Sequence, residues 1–305
     1  MRYWIGITDW EWYRFLAAKS GIAEVNFWQP SAGRQPVRLD PGALFLFKLH
    51  GPRGGQIVGG GWFVKYEAMP IRWTWEAFGE ENGAATFDEM VARIGKYRRT
   101  MIDVHADQVG CLVLVEPFFL EEPEWIAPPA DWAPNIVQGK GYDSDIGEGA
   151  RIWNQVQLAL ARRMPMEHAV AEHRYGTPIL VQPRLGQGAF RLLVTDAYQR
   201  RCAVTGERTL PVLDAAHIRP YADLGPHRLE NGILLRKDLH ALFDAGYVTV
   251  TRSLELRVSR RIREEFENGR DYYALEGSPV RVPLPPAPPP SPEYLEWHAD
   301  TVFRG

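Results

Sequence analysis

Apolar positions in the first half of the chain come in short, dense runs separated by turn residues, a rhythm that suits strands with a few amphipathic helices between them. Tyr3 to Ile7, Ala43 to Leu49, Gln56 to Tyr66 and Val109 to Val115 are predicted strands. The glycines at 59 to 61 inside the third run mark a bulge or a close backbone approach. Helical spacing is predicted over Trp10 to Ala18, Thr74 to Glu80 and Phe87 to Arg98, the last with Thr86 as N-cap. Together these elements predict an α+β domain on a strongly bent, barrel-like sheet over residues 1–148.

Beyond it the pattern loosens. Ile126 to Pro134 is rich in proline and predicts an extended loop, and Gly139 to Asp143 a polar turn. A helical linker is expected over 149–184, with a helix from about Gly149 to Met164 and a β-like tail over Glu172 to Pro183. The second domain, 185–305, opens near Gly186 to Arg191, and the residues that follow, to Tyr198, suit a helix. Cys202 to Thr205 and Val212 to His217 are then predicted strands joined by Gly206 to Pro211. The apolar segment Ile233 to Phe243 ends as helix. Tyr247 to Val250 and Leu254 to Val258 pair as a hairpin, and a proline tract over 283–292 precedes a helix over 292–303.

Composition narrows the class. The 305 residues suit two domains, and the hydrophobic and charged fractions allow a core in each. The net charge of −3 hides an asymmetry, because Arg184 to Arg270 holds fifteen Lys/Arg against eleven Asp/Glu. A locally basic face serves phosphate contact whatever the global sum. Two distant cysteines, Cys111 and Cys202, fit a reducing compartment and argue against a disulfide framework. The opening Met1-Arg-Tyr-Trp-Ile-Gly reads as strand, so no signal peptide is expected, and no apolar run approaches the ~20 residues of a membrane span. A soluble, cytoplasmic protein is expected.

The chemistry concentrates in Asp214-Ala-Ala-His217-Ile-Arg-Pro220, Glu230-Asn231-Gly232 and Asp238-Leu-His240. Phosphodiester hydrolysis needs a base for water, a Lewis acid for the phosphate and leaving oxygen, and rigid placement of both. A strand-end histidine, a loop asparagine and a helix histidine supply those types in order. Taken singly, each has a plainer reading: His217 as a hydrogen-bonded core histidine, Asn231-Gly232 as a turn, His240 as a helix surface residue.

The blocks Arg201 to Gly206, Ala215 to Tyr221, Asn231 to Arg236 and Asp238 to Asp244 resemble the HNH endonuclease family, in its bacterial branch with an Ala-Ala-His-Ile-x-Pro-Tyr strand. The resemblance implies a ββα-metal finger in which His217 is the general base, Asn231 an orienting residue and His240 a metal ligand. It implies a divalent cofactor, Mg²⁺ or Mn²⁺ or another transition metal. Ala216 stands where many members carry a further ligand. Asp214, on the same strand face, either replaces it or bonds to the neighbouring loop. Asp244, one turn beyond His240, either orients that imidazole or simply ends the helix. Cys202 stands without the paired cysteines of zinc-braced members, so no structural zinc is expected. Arg219, Arg236 and Lys237 flank the site as candidate phosphate contacts.

In the first domain, Val25 to Pro30, Phe45 to His50 and Gly59 to Phe63 resemble PUA-superfamily readers of modified bases (the EVE, ASCH and SRA relatives). With an HNH domain, this implies a modification-dependent restriction enzyme acting on double-stranded DNA carrying modified cytosine. A flipped base needs aromatic walls and polar edges. Trp28, placed in a polar loop, and Tyr142 are the expected walls, with Asn26, Gln29 and Asp143 at the edges. Since one finger cuts one strand, a homodimer is expected for a double-strand break. Two rivals stay open: a non-catalytic nucleic-acid-binding protein with a decayed metal site, and a nuclease whose first domain binds protein.

Overall fold

The structure is a computed structural model and describes residues 1–33, 39–51, 54–98, 101–162, 185–220 and 225–305. The chain divides into two compact units, Met1–Arg184 and Leu185–Gly305. The expected β-like tail at Glu172 to Pro183 lies outside the described residues.

Unit 1 is built on a six-stranded sheet. Its strands are β1 (Arg2–Thr8), β2 (Glu24–Gln29), β3 (Leu44–Leu49), β4 (Ile57–Pro70), β5 (Gln108–Phe119) and β6 (Gly139–Asp143), ordered β2-β5-β4-β3-β1-β6. β1 and β3 run parallel, and the other pairs are antiparallel. Register shifts at Gly60/Trp62 and Phe63/Lys65 bend the long β4–β5 ribbon, as bulges do. Helix α1 (Trp10–Ala17) lies where predicted; α2 (Ile71–Phe78) starts three residues before its predicted Thr74 and α3 (Phe87–Gly95) ends three before its predicted Arg98, and Thr86 caps α3 by accepting from Glu89 N.

Each face of the sheet carries its own core. One packs Trp12, Leu16 and Phe27 against Phe45 and Phe47; the other packs Tyr3, Ile5 and Leu46 against Ile152 and Val156. The second cluster corrects the expectation of a linker helix. That helix, α4 (Gly147–Ala161), lays Ile152, Val156 and Ala159 on the unit-1 sheet. Two further expectations change. Val25 to Gln29 is strand β2, so Trp28 sits on a ladder opposite Cys111 and not in a loop. Gly139 to Asp143 is edge strand β6 paired with β1, and not a turn, because its backbone completes the β1 ladder.

Unit 2 opens with α5 (Gln187–Ala197). Strands β7 (Leu213–His217) and β8 (Gly232–Arg236) pair antiparallel, with His217 opposite Gly232, and α6 (Lys237–Asp244) follows β8 directly. Next come β9 (Val248–Val250) and β10 (Leu256–Val258), the short helices α7 (Arg261–Phe266) and α8 (Arg270–Tyr273), and α9 (Pro292–Thr301). Cys202 to Thr205, predicted as strand, is a turn. Cys202 N donates to Glu207 O at 2.8 Å and Gly206 N to Cys202 O at 3.0 Å. Gly206 closes it at φ +74°, a conformation that costs glycine little. Phe190, Val194, Ile233, Leu235, Leu239 and Phe243 belong to one core cluster under the β7–β8 pair, and α6 contributes its Leu239/Phe243 stripe.

Candidate active site

Along β7, Leu213 and Ala215 are buried, whereas Asp214 and, on the opposite face of the strand by period-two alternation, His217 are half-buried. Ala216, fully buried, joins the core. The β7–β8 pair ends at His217, and Phe190 of α5 stacks on the imidazole with centroids 3.9 Å apart and planes 13° from parallel. This approach requires Gly232. A Cβ there would meet Val194 Cγ2 at 2.5 Å and Phe190 Cζ at 2.9 Å.

Asn231 is fully buried and acts as a clamp. Its Oδ1 accepts from Arg219 N, and its Nδ2 donates to Arg219 O and Pro226 O, each at 2.9 Å. One amide thus holds together the two ends of the 219–226 segment. The clamp fixes the chain just before His227, whose Nδ1 lies 2.9 Å from His217 Nε2. The two imidazoles meet edge to face at 70°.

His240 projects from α6 between two carboxylates. Its Nδ1 is 3.2 Å from Asp214 Oδ2 and its Nε2 is 3.3 Å from Asp244 Oδ2. Arg191, next to Phe190 on α5, sets its Nε 3.4 Å from Asp214 Oδ1. Burial pulls the His240 pKa down, but the Asp214 hydrogen bond and the charges of Asp244 and Asp214 outweigh it and leave it raised. Asp214 is pushed up by burial and pulled further down by His240 and Arg191, for a net lowering. Asp244 is raised by burial and by Asp214, against His240. His217 behaves oppositely to His240. Burial, then the charges of His227 and His240, bring it to about 4 against the pull of Asp214, so its imidazole is neutral near pH 7. One imidazole is therefore tuned to stay unprotonated and the other to sit in a negative field.

The expected phosphate contacts are placed differently from one another. Arg236 is engaged by Asp238, with Nε–Oδ1 at 2.9 Å and Nη2–Oδ2 at 2.5 Å. Arg219 lies over the Trp297 ring at 5.2 Å. Lys237 is exposed at the start of α6. Phe190, Arg191 and His227 are site residues that sequence reasoning missed.

In unit 1 a cleft of about 730 Å³ opens at the ends of β1, β2 and β3. Trp28 and Gln29 line it, together with Trp10, Tyr97, His50 and Gln138. Trp28 is held in place by its Nε1–H, which donates to Asn82 O at 2.9 Å. Asn26, Tyr142 and Asp143 are elsewhere. Asn26 is fully buried and donates to Asn82 Oδ1 at 2.9 Å. Tyr142 stacks on Tyr3 and donates to Asp131 Oδ1 at 2.8 Å, and the Asp143 carboxylate faces the N-terminal amine at 3.6 Å.

Residues 202–251 match the family model described as HNH endonuclease, so the chain carries an HNH endonuclease domain and the protein is a nuclease. The matched span includes Asp214, His217, His227, Asn231, His240 and Asp244. Among solved structures, the chain is similar to a "Modification dependent TagI restriction endonuclease" at 14% identity and a TM-score of 0.32. That alignment covers 94% of this chain and 78% of the other. No curated protein sequence matches the chain. Among the described residues, no helix is long and apolar enough to cross a membrane.

HNH nucleases generally use divalent metal ions, which raises the question of what here would hold one. Among the described residues no group of three or more His, Cys, Asp or Glu side chains is placed to hold a metal ion. The fit instead rests on Asp214 and His240, a carboxylate oxygen and an imidazole nitrogen at hydrogen-bond distance. The carboxylates around it are negative enough to raise His240 against its burial. A cation can take the place of the proton between them, since metal and proton compete for such ligands.

Proposed function

We propose that the protein is a divalent-metal-dependent DNA endonuclease of the modification-dependent restriction type. In this reading unit 1 reads a modified cytosine and unit 2 cuts the phosphodiester. The observation that carries it is the convergence, within the HNH-matched span, of a neutral histidine, a clamped loop and a carboxylate–histidine pair. His217 receives the proton of the attacking water. Asn231 holds the loop that fixes the neighbourhood of that imidazole. Asp214 and His240 would hold the metal, which supplies Lewis-acid stabilisation of the scissile phosphate and the departing oxygen. Asp244 orients His240 from its far side. Arg219 and Lys237 steer the phosphate backbone, whereas Arg236 is committed to Asp238 and braces the start of α6.

The cleft of unit 1 falls within the ~300–1,000 Å³ typical of small-molecule sites. A base taken out of its stack needs aromatic faces and a few polar groups for its edge. Trp28, Trp10 and Tyr97 offer the faces, and Gln29, His50 and Gln138 the edge. Because one such domain cuts one strand, two copies act together in double-strand cleavage.

The test compares cleavage of unmodified DNA with DNA carrying 5-methylcytosine or 5-hydroxymethylcytosine, for the wild type and Gln29→Ala. Preferential cutting of one modified substrate, weakened in the variant, is expected. Equal cutting of all three substrates sinks the reader assignment and leaves the nuclease assignment standing.

A further inference from the structure

His227 belongs to neither the base nor the metal pair, yet it is hydrogen-bonded to the His217 ring, Nε2 to Nδ1 at 2.9 Å. The His217 ring has little freedom to turn away. Phe190 covers one face at 3.9 Å, and His227 meets it at 70° while sitting 5.8 Å from the same phenyl ring. Asn231 supplies the loop geometry by fixing Pro226 O at 2.9 Å, one residue before His227.

A neutral imidazole has one N–H and one lone pair, so two neutral imidazoles joined by a hydrogen bond share a single bridging proton. Burial lowers both members, with the charges of His227 and His240 adding to the effect on His217 and Asp214 opposing it. Both rings are therefore neutral near pH 7. Two arrangements are then open. In one, His217 donates from Nε2 and keeps its Nδ1 lone pair. In the other, His227 donates and His217 carries its proton on Nδ1. Only the first leaves His217 a nitrogen with which to take a proton from water, because Nε2 is occupied in both.

We infer that His227 is a positioning residue that accepts a hydrogen bond from His217 Nε2 and thereby makes Nδ1 the nitrogen that deprotonates the attacking water. The inference rests on the reading of His217 as the base. In the step, a water O–H bond breaks and its proton goes to Nδ1, while the oxygen lone pair forms the bond to phosphorus. The bond from phosphorus to the leaving oxygen breaks, and that oxygen is protonated by bulk water. His217 then returns its proton to solvent. As Nδ1 takes the proton, the Nε2–H bond to His227 becomes charge-assisted and strengthens, stabilising the imidazolium that forms. A neutral ring thus does here what the carboxylate of a Ser-His-Asp triad does for its histidine.

The test uses the full-length protein, supercoiled plasmid DNA with unmodified or modified cytosine, and Mn²⁺ or Mg²⁺. Asn places an acceptor oxygen near the position of Nδ1, whereas Leu fills the space without one. His227→Leu is expected to lower the single-turnover rate about 100-fold with unchanged DNA affinity. His227→Asn is expected to stay within about fivefold of the wild type. In ¹⁵N-histidine spectra at pH 7, wild type and His227→Asn show His217 protonated on Nε2, and His227→Leu shows the two tautomers averaged. A fully active His227→Leu, or a wild-type His217 protonated on Nδ1, overturns the inference. A wild type inert on every substrate overturns the nuclease reading instead, and the spectra still decide the tautomer.

Discussion

Phe190 lies flat against His217, ring centroids 3.9 Å apart and planes 13° from parallel, and Gly232 on the paired strand makes room for that contact. The stack fixes one face of the imidazole at the end of β7 while His227 holds its Nε2 edge, so the ring's orientation depends on how closely α5 packs on β8 as well as on that hydrogen bond. Gly232→Ala puts a methyl 2.5 Å from Val194 Cγ2. Overpacking of this kind costs roughly 1–3 kcal/mol. The variant is expected to melt several degrees lower and to cleave DNA more slowly than the loss of folded protein explains, as read by calorimetry and by single-turnover rates at 20 °C.

Asn231 satisfies three backbone groups with one buried side chain. Removing it takes the side-chain partner from Arg219 N and Arg219 O and leaves Pro226 O with only its bond from Arg228 N, at about 1–3 kcal/mol for the groups left unpaired. Asn231→Ala is expected to lose that stability and to release His227 from His217. Asn231→Asp is expected to fare no better, because a carboxylate cannot donate to the Arg219 and Pro226 carbonyls. Urea denaturation of both variants, with the ¹⁵N signals of His217, checks this.

His298 is buried, with Nδ1 2.8 Å from Thr249 Oγ1 and Nε2 3.1 Å from Phe243 O. Burial lowers its pKa to about 4, against the smaller pull of the Phe243 carbonyl. The unfolded chain therefore binds the proton first as pH falls, and stability present above about 6.5 is lost on the way down to about 4. His217, lowered to a similar value, adds to the loss in the same window. Unfolding free energy from urea titrations is expected to fall by roughly 3 kcal/mol or more between pH 7 and pH 4. His298→Gln should reduce that slope without abolishing it. A slope unchanged in the variant contradicts the assignment.

The Asp214–His240 pair is expected to set the metal requirement. Asp214→Asn keeps the side-chain shape and removes the charge, so the Mn²⁺ concentration for half-maximal cleavage should rise about tenfold or more. Because the cation competes with the proton on a raised His240, the same midpoint should rise in the wild type as pH is lowered from 8 to 6. A midpoint indifferent to both changes removes Asp214 and His240 from the metal site.

Much of this site was legible in the chain because its parts are local. The hydrophobic run leading into His217 and the apolar stripe of Leu239 and Phe243 announce a strand and a helix that present His217 and His240. What was not legible is what the tertiary fold adds to them. His227 reaches His217 only because Asn231 draws Arg219 and Pro226 together, and no periodicity records a clamp. Phe190 and Arg191 arrive from α5, whose pattern shows a helix but not its docking partner. The same holds in unit 1. Trp28 reads as loop beside Pro30 until β5 supplies the ladder that makes it strand, and Gly139 to Asp143 reads as a turn until β1 pairs with it. Tyr142 looks like a pocket wall in sequence, yet its hydroxyl is claimed by Asp131.

The central claim is that His217 is the base of a metal-dependent nuclease. The most direct measurement is cleavage of plasmid DNA, unmodified and carrying methylated or hydroxymethylated cytosine, by wild type and His217→Ala with Mg²⁺ or Mn²⁺. The account predicts cutting by the wild type and a rate about 100-fold to 10,000-fold lower in the variant, with DNA affinity unchanged. Cutting by His217→Ala at the wild-type rate, or a wild type inert on every substrate, contradicts it.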